Sequence, residues 1–245
     1  MWIDINVHLE LMPASSESVK KAAAAVSVEF IATGTNPDQW DWLVDRTSFL
    51  AFGLHPRYAV QTSDWMSLLE GYLRENPRYA MGEIGLDFRR QMPIREEQEI
   101  VFESQLALAK ELDRPVIIHA VKSHPEVISA LKRVGLSRFV IHAFSGSEDI
   151  AADYLAMGGY LSAGGLLTRM PRPKTLQVFR SMPLNRLLLE TDAPDLPPAG
   201  MDHSSPEYLP IIAQSLASDL DINLSALEQL SYSNACALFD YDFAQ

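Results

Sequence analysis

The chain has 245 residues, and its 20 basic and 32 acidic side chains give a formal net charge of −12. Apolar residues make up 47% of the chain and charged residues 21%, which excludes an intrinsically disordered protein. The single cysteine excludes a disulfide framework and a cysteine-based zinc cluster. No apolar stretch is long enough to cross a membrane and no signal peptide is recognisable, so we expect a cytoplasmic protein that does not associate with membranes.

Short apolar runs alternate with segments of helical periodicity along the whole chain. The predicted strands, in chain order, are Trp2–Val7, Val28–Thr33, Ser48–Leu54, Tyr79–Ile84, Val116–His119, Phe139–His142, Gly159–Ser162 and Arg186–Glu190. The clearest predicted helices are Pro93–Leu112, Pro125–Val134 and Ser205–Ser218. Apolar strands that alternate with helices are typical of α/β proteins with a parallel sheet. Eight strands at this length, with no linker, favour a single (β/α)8 TIM barrel that forms one domain over residues 1–245.

Polar residues of metal-binding types end the predicted strands or follow them directly. They are Asn6, His8, His55, Glu83, His119, His142 and Asp192. In a barrel these strand ends meet at one face, where active sites are built. Imidazoles and carboxylates gathered there indicate a site for one or two divalent ions, Mg²⁺, Mn²⁺ or Zn²⁺. Glycines flank Glu83 and allow close approach of the backbone to an ion or phosphate, and this carboxylate can bridge two ions.

Seven short motifs occur in order along almost the whole chain. They are Asp4–Glu10, Gly53–Pro56, Gly82–Asp87, Pro115–His119, His142–Gly146, Glu190–Pro194 and Asn234–Phe239. On these motifs the chain resembles the TatD family of metal-dependent deoxyribonucleases and related hydrolases, which are amidohydrolase-like barrels.

The resemblance implies a metal site with two positions. His8, Glu83 and Asp192 would hold one ion, and Glu83, His119 and His142 would hold the second. Asp192 would act as the general base, and Glu83 would bridge the two ions.

The resemblance also implies residues that contact the substrate. His55 and the backbone around Ser145 and Gly146 would line a phosphate pocket, and His203, on the loop after the last strand, is a further candidate substrate contact. One position departs from the family: its first strand carries a His-x-His pair, whereas this chain has Asn6 before His8. A carboxamide oxygen binds a borderline ion more weakly than an imidazole does, so Asn6 is a weak ligand at most.

We therefore expect a metal-dependent phosphodiester hydrolase that acts on DNA ends or on a small phosphoester. The net charge favours a short strand end over a long duplex, attracted by the metals and by a local rim of basic residues: Arg57, Arg89, Arg90 and Arg169. Two alternatives stay open. One is a hydrolase of esters or amides outside nucleic acids; such barrels often bridge their metals with a carboxylated lysine, where this chain has Glu83. The other is a barrel that has lost catalysis and serves as a binding or scaffold protein, which Asn6 keeps open.

Overall fold

A computed structural model describes residues 1–60, 64–171 and 174–243 of the chain. Its strands are all parallel, and each is hydrogen-bonded to the next in sequence order. They are β1 (Trp2–Val7), β2 (Val28–Gly34), β3 (Leu50–Phe52), β4 (Ala80–Asp87), β5 (Val116–Val121), β6 (Phe139–Ile141), β7 (Tyr160–Ala163) and β8 (Leu187–Leu189). A parallel bridge between Val7 and Ala193 joins the end of β1 to the chain after β8.

Helices follow the strands and cover the outside of the sheet. They are α1 (Ser16–Ala25), α2 (Pro37–Val44), α3 (Trp65–Glu75), α4 (Arg95–Glu111), α5 (His124–Val134), α6 (Glu148–Ala156), α7 (Leu176–Ser181), α8 (Leu209–Leu220) and α9 (Leu224–Phe239). The predicted (β/α)8 barrel is confirmed. In the part of the chain that the structure describes, no helix is long and apolar enough to cross a membrane.

The lower half of the barrel interior is filled by one apolar layer to which every strand contributes. Its members are Ile3 and Ile5 of β1, then Ile31, Ala51, Ala80, Ile117, Val140, Tyr160 and Leu188 of β2 to β8 in order. Helix α9 closes this end, because its residues Ala235, Leu238 and Phe239 belong to the same buried cluster. Since this layer occupies the amino ends of the strands, the polar residues meet at the opposite, carboxyl end.

Strand β4 extends furthest beyond its predicted end. It runs to Asp87, three residues beyond the predicted end at Ile84, so Glu83 lies inside the strand. The pairing of β4 with β5 shifts between Met81 and Ile84. Gly85 fits against β5, because a Cβ added there would lie 1.9 Å from the carbonyl oxygen of His119. Gly85 therefore permits a close approach of β4 to the neighbouring strand β5, and not to an ion or phosphate as the sequence suggested.

Candidate metal centre

A cavity of about 510 Å³ opens at the carboxyl ends of the strands, a volume typical of ligand sites. Of the residues predicted for the site, those that line it are His8, His55, Glu83, His119, His142, Ser145 and Asp192. The fully buried Asn6 contacts several of them from below. The structure thus brings together residues from strands that are far apart in sequence, as the barrel topology requires.

Glu83 stands at the centre of this cluster, and its two carboxylate oxygens face different partners. Oε1 lies 2.7 Å from Nδ1 of His119 and 2.9 Å from Nε2 of His142. Oε2 lies 3.4 Å from Nε2 of His8 and accepts a hydrogen bond from the amide of Asn6 at 3.2 Å. A carboxylate arranged in this way has the geometry to bridge two cations, one on each side.

Asp192 completes the Oε2 side of the cluster. It follows β8 with a φ of 55°, a left-handed conformation that aspartate tolerates better than most residues. Its Oδ1 lies 3.4 Å from Nε2 of His8 and accepts a hydrogen bond from Asn6 at 3.0 Å. Ligand atoms of His8, Glu83 and Asp192 therefore lie close enough together to hold one cation.

Three imidazoles of the cluster turn one ring nitrogen towards Glu83 and the other towards an acceptor on the outside. The outer contacts are His8 Nδ1 with the Thr33 carbonyl (3.2 Å), His119 Nε2 with Asp87 Oδ2 (3.3 Å) and His142 Nδ1 with Glu190 Oε1 (3.5 Å). Because carbonyl and carboxylate oxygens only accept hydrogen bonds, each outer nitrogen keeps its proton. The inner nitrogen is then the one that can offer a lone pair to a metal, as is usual for metal-bound histidine.

The pKa values of these groups show that the cluster favours positive charge. Burial alone would raise the pKa of Glu83, but the charge of His142 and the hydrogen bonds from His119 and His8 hold that pKa well below its usual value. Burial lowers the pKa of His142, yet the charges of Glu83 and Glu190 raise it well above 6.5. Cationic charge beside Glu83 is thus strongly stabilised, which is also the requirement for holding a divalent ion.

His55 has the opposite arrangement. Its Nδ1 accepts the backbone N–H of Arg57 at 3.0 Å, so the neutral ring carries its proton on Nε2, 3.6 Å from Glu83 Oε1. Burial and the charge of His119 hold the pKa of His55 well below 6.5, which keeps the ring neutral. Ligand atoms of His55, Glu83 and His119 lie close enough together for an ion. However, a nitrogen that bears a proton has no lone pair to give, so we assign His55 as a hydrogen-bond donor.

Three further buried carboxylates, none of them among the metal ligands predicted from the sequence, support the cluster. Asp87 contacts His119, and Glu190 contacts His142 while accepting hydrogen bonds from Ser162 Oγ and the Ala143 backbone, both at 2.6 Å. Both carboxylates belong to motifs already singled out. The available signal was their position: a carboxylate within or directly after an apolar strand needs a buried partner.

Asp4 is the third of these carboxylates, and it joins β1 to the chain after β8. It accepts hydrogen bonds from the backbone N–H of Thr191 at 2.9 Å and from its hydroxyl at 2.5 Å. Burial raises the pKa of Asp4 to about 8, although the hydrogen bonds from Thr191 oppose this rise. Because Asp4 precedes Asn6 and Thr191 precedes Asp192, this contact fixes two residues of the cluster relative to each other.

The other residues predicted to contact the substrate differ in their position relative to the cavity. Ser145 is exposed at the cavity wall, whereas Gly146 packs on Phe144, whose ring would lie 2.8 Å from a Cβ added there. His203 is exposed and does not line the cavity, because hydrogen bonds of the neighbouring Ser204 to Pro194 and Thr191 pull that residue inward and leave His203 outside. A role of Gly146 or His203 in substrate binding stays a prediction.

The donor set fits divalent metal ions. Around Glu83 it combines imidazole nitrogens with carboxylate oxygens, and the side-chain oxygen of Asn6 is buried without a hydrogen-bond partner. Because the amide nitrogen of Asn6 faces Glu83 and Asp192, a half-turn of the amide would bring this unpartnered oxygen to a cation held between the two carboxylates. These residues make a candidate divalent-metal site at the carboxyl ends of the strands of a (β/α)8 barrel.

Comparison with known proteins gives the family. The model of the TatD related DNase family matches residues 3–240, and the chain belongs to this family. It is 35% identical over 208 residues to the uncharacterized metal-dependent hydrolase YjjV of Escherichia coli K12, with 80% of each chain covered. It is 35% identical over 256 residues to the 3'-5' ssDNA/RNA exonuclease TatD of Erwinia tasmaniensis, covering 97% of this chain and 99% of the relative.

A solved structure supports the same assignment. The crystal structure of the Escherichia coli TatD homologue YjjV superposes with a TM-score of 0.92 at 32% identity, covering 98% of each chain. The resemblance drawn from the motifs is thereby confirmed.

Proposed function

We propose that this protein is a divalent-metal-dependent phosphodiesterase that removes nucleotides from the ends of single-stranded DNA or RNA in the cytoplasm. The observation that carries the proposal is the position of the Glu83 carboxylate, whose two oxygens face separate groups of ligand atoms. A bridged pair of ions suits phosphodiester cleavage, because the attacking and the leaving oxygen each need a cation. Relatives named as 3'-5' ssDNA/RNA exonucleases add support for the substrate class.

The ring nitrogens that face Glu83 indicate which predicted ligands would hold each of the two ions. His8 and Asp192 would hold an ion on the Oε2 side of Glu83, and His119 and His142 would hold one on the Oε1 side. The Oε2 side is rich in oxygen and suits Mg²⁺ or Mn²⁺, whereas the Oε1 side is rich in imidazole and suits Zn²⁺. Ions in these positions would activate a water molecule and polarise the phosphoryl oxygens.

The side chains then supply the proton transfers and the orientation of the substrate. Asp192 has a carboxylate at the cavity and takes the proton of the attacking water. The Nε2–H of His55 points to the middle of the cluster and donates to a phosphoryl oxygen, which stabilises the charge that develops there. Ser145, exposed at the cavity wall, adds a hydroxyl donor.

The test uses a single-stranded oligonucleotide labelled at its 5' end, incubated with Mg²⁺ or Mn²⁺. We expect stepwise loss of 3' nucleotides, no reaction in a chelator, and a fall in kcat of at least about 10²-fold for Asp192→Asn, whose carboxamide cannot accept the proton. Asp202→Asn is the matched control, since Asp202 is exposed on the same loop and does not line the cavity. Equal activity of the two variants would contradict the assignment of Asp192, and an inactive wild-type protein would contradict the proposed function.

A further inference from the structure

Two arginines on neighbouring loops line the cavity beside the metal cluster. Arg57 follows β3 and Arg89 follows β4, and among the described residues lining this cavity they are the only arginines or lysines. Arg90, the next residue along, does not line it. Of the four arginines that the sequence groups in one basic rim, Arg57 and Arg89 line the cavity, whereas Arg90 and Arg169 do not.

Arg89 is held in place by a buried carboxylate. Its Nε donates to Asp87 Oδ1 at 2.9 Å and Oδ2 at 2.8 Å, and Nη2 contacts Oδ2 as well. The backbone N–H of Arg89 donates to the same carboxylate at 3.0 Å. Asp87 is 0% exposed, whereas the Arg89 side chain is 40% exposed. The guanidinium is therefore fixed along one edge and keeps its Nη1 donors for a ligand in the cavity.

The same carboxylate also fixes Arg89 relative to the metal centre. Asp87 Oδ2 lies 3.3 Å from Nε2 of His119, whose other nitrogen faces Glu83. Only one carboxylate thus separates the arginine from a metal-binding imidazole. Such an arrangement sets a constant spacing between the metal site and a second positive group.

Arg57 is fixed through its backbone on the other loop. Its N–H donates to Nδ1 of His55, while its side chain is exposed and has no ion pair in the described parts of the chain. A free guanidinium beside a pre-oriented one is suited to an anion with several oxygens, since arginine binds phosphate through parallel N–H donors.

We propose that Arg57 and Arg89 bind the phosphate next to the scissile one. This inference rests on the proposed function and narrows its substrate to a strand with at least two phosphates, in preference to a small phosphoester. The scissile phosphate belongs at Glu83, and its neighbour along the strand reaches the two arginines. The two arginines then select the substrate by the presence of a second phosphate, and this selection does not depend on the base sequence.

The test compares two substrates that differ in the second phosphate. Thymidine 5'-(4-nitrophenyl phosphate) carries only the scissile phosphate, and a single-stranded decathymidylate carries its neighbours too. We expect Arg57→Gln and Arg89→Gln each to lower kcat/KM about tenfold more for the decathymidylate than for the nitrophenyl ester. The dependence of log kcat/KM on log salt should become shallower in each variant, by up to about 0.7, the value for the one phosphate that the two arginines share on a single strand.

Arg90→Gln is the matched control, because it removes the same charge from the same loop but outside the cavity, and it should leave both substrates unaffected. Equal losses on the two substrates for either variant, or equal behaviour of Arg89→Gln and Arg90→Gln, would overturn the proposal. A wild-type protein that hydrolyses neither substrate would instead contradict the proposed function, so the two failures are distinguishable.

Discussion

Asn6 is the residue that sets this metal centre apart from the His-x-His pattern expected of its first strand. Its amide nitrogen donates to both Glu83 and Asp192, and its oxygen is buried without a partner. A cation between the two carboxylates would repel the N–H group and attract the oxygen, which a half-turn of the amide brings inward. The Oε2 side then has one imidazole and three oxygen donors, a set that holds Zn²⁺ less tightly than the imidazole-rich side.

Replacing Asn6 by His should therefore raise the amount of metal that the protein retains. We expect the unmodified protein to keep about one Zn²⁺ per chain after dialysis and the Asn6→His variant to keep about two, because a second imidazole strengthens the weaker position. Elemental analysis measures this content, and Asn185→His, an exposed change outside the cavity, is the control. Two ions retained in the unmodified protein and no increase in the variant would show that Asn6 does not weaken the site.

Strand β4 is the element on which the site depends most. It carries both Glu83 and Asp87, and Gly85 between them lets the strand approach β5, which carries His119. Gly85 has a φ of 149°, a conformation that side-chain-bearing residues rarely adopt. The spacing between Glu83 and His119 thus depends on a residue without a side chain.

Gly85→Ala should destabilise the protein and disturb the metal centre together. A Cβ would meet the His119 carbonyl at 1.9 Å, so we expect a loss of at least about 2 kcal/mol in the free energy of unfolding, with reduced metal content. Gly71→Ala is the matched control: Gly71 lies within α3 with nothing within 4 Å of an added Cβ, so the change should stabilise by about 0.5–1 kcal/mol. Denaturant unfolding of both variants decides the point, and similar stabilities would refute it.

Sequence periodicity was sufficient for the elements but not for their exact ends. Apolar runs predict all eight strands, because a strand that is buried on both faces is apolar at almost every position and stands out in the sequence. The extension of β4 to Asp87 was missed, since a carboxylate normally argues against a buried strand and only its partners His119 and Arg89 make it acceptable. The residues gathered at the cavity were predictable from strand ends, whereas the ring nitrogen that each histidine turns inward depends on neighbours from other strands.

At the scale of the whole molecule, a net charge of −12 opposes a polyanionic substrate. With its imidazoles neutral, as metal binding requires, the cavity lining does not reverse this sign, because Glu83, Asp192 and Asp195 outnumber Arg57 and Arg89. Two divalent cations would add four positive charges at the centre of this lining. On the proposed function, the metals would then contribute to substrate binding in addition to their part in the cleavage step.

Removing the metals should accordingly weaken association with nucleic acid. We expect a fluorescent single-stranded oligonucleotide with hydrolysis-resistant phosphorothioate linkages to bind in Mn²⁺ and to lose at least about tenfold in affinity in a chelator, at matched ionic strength. Fluorescence anisotropy measures the dissociation constant in both conditions. Because each positive charge at a phosphate contributes separately, Arg89→Gln in Mn²⁺ should fall between these limits. An affinity that is unchanged by the chelator would mean that a basic surface outside the cavity holds the strand, and that the metals act on the reaction alone.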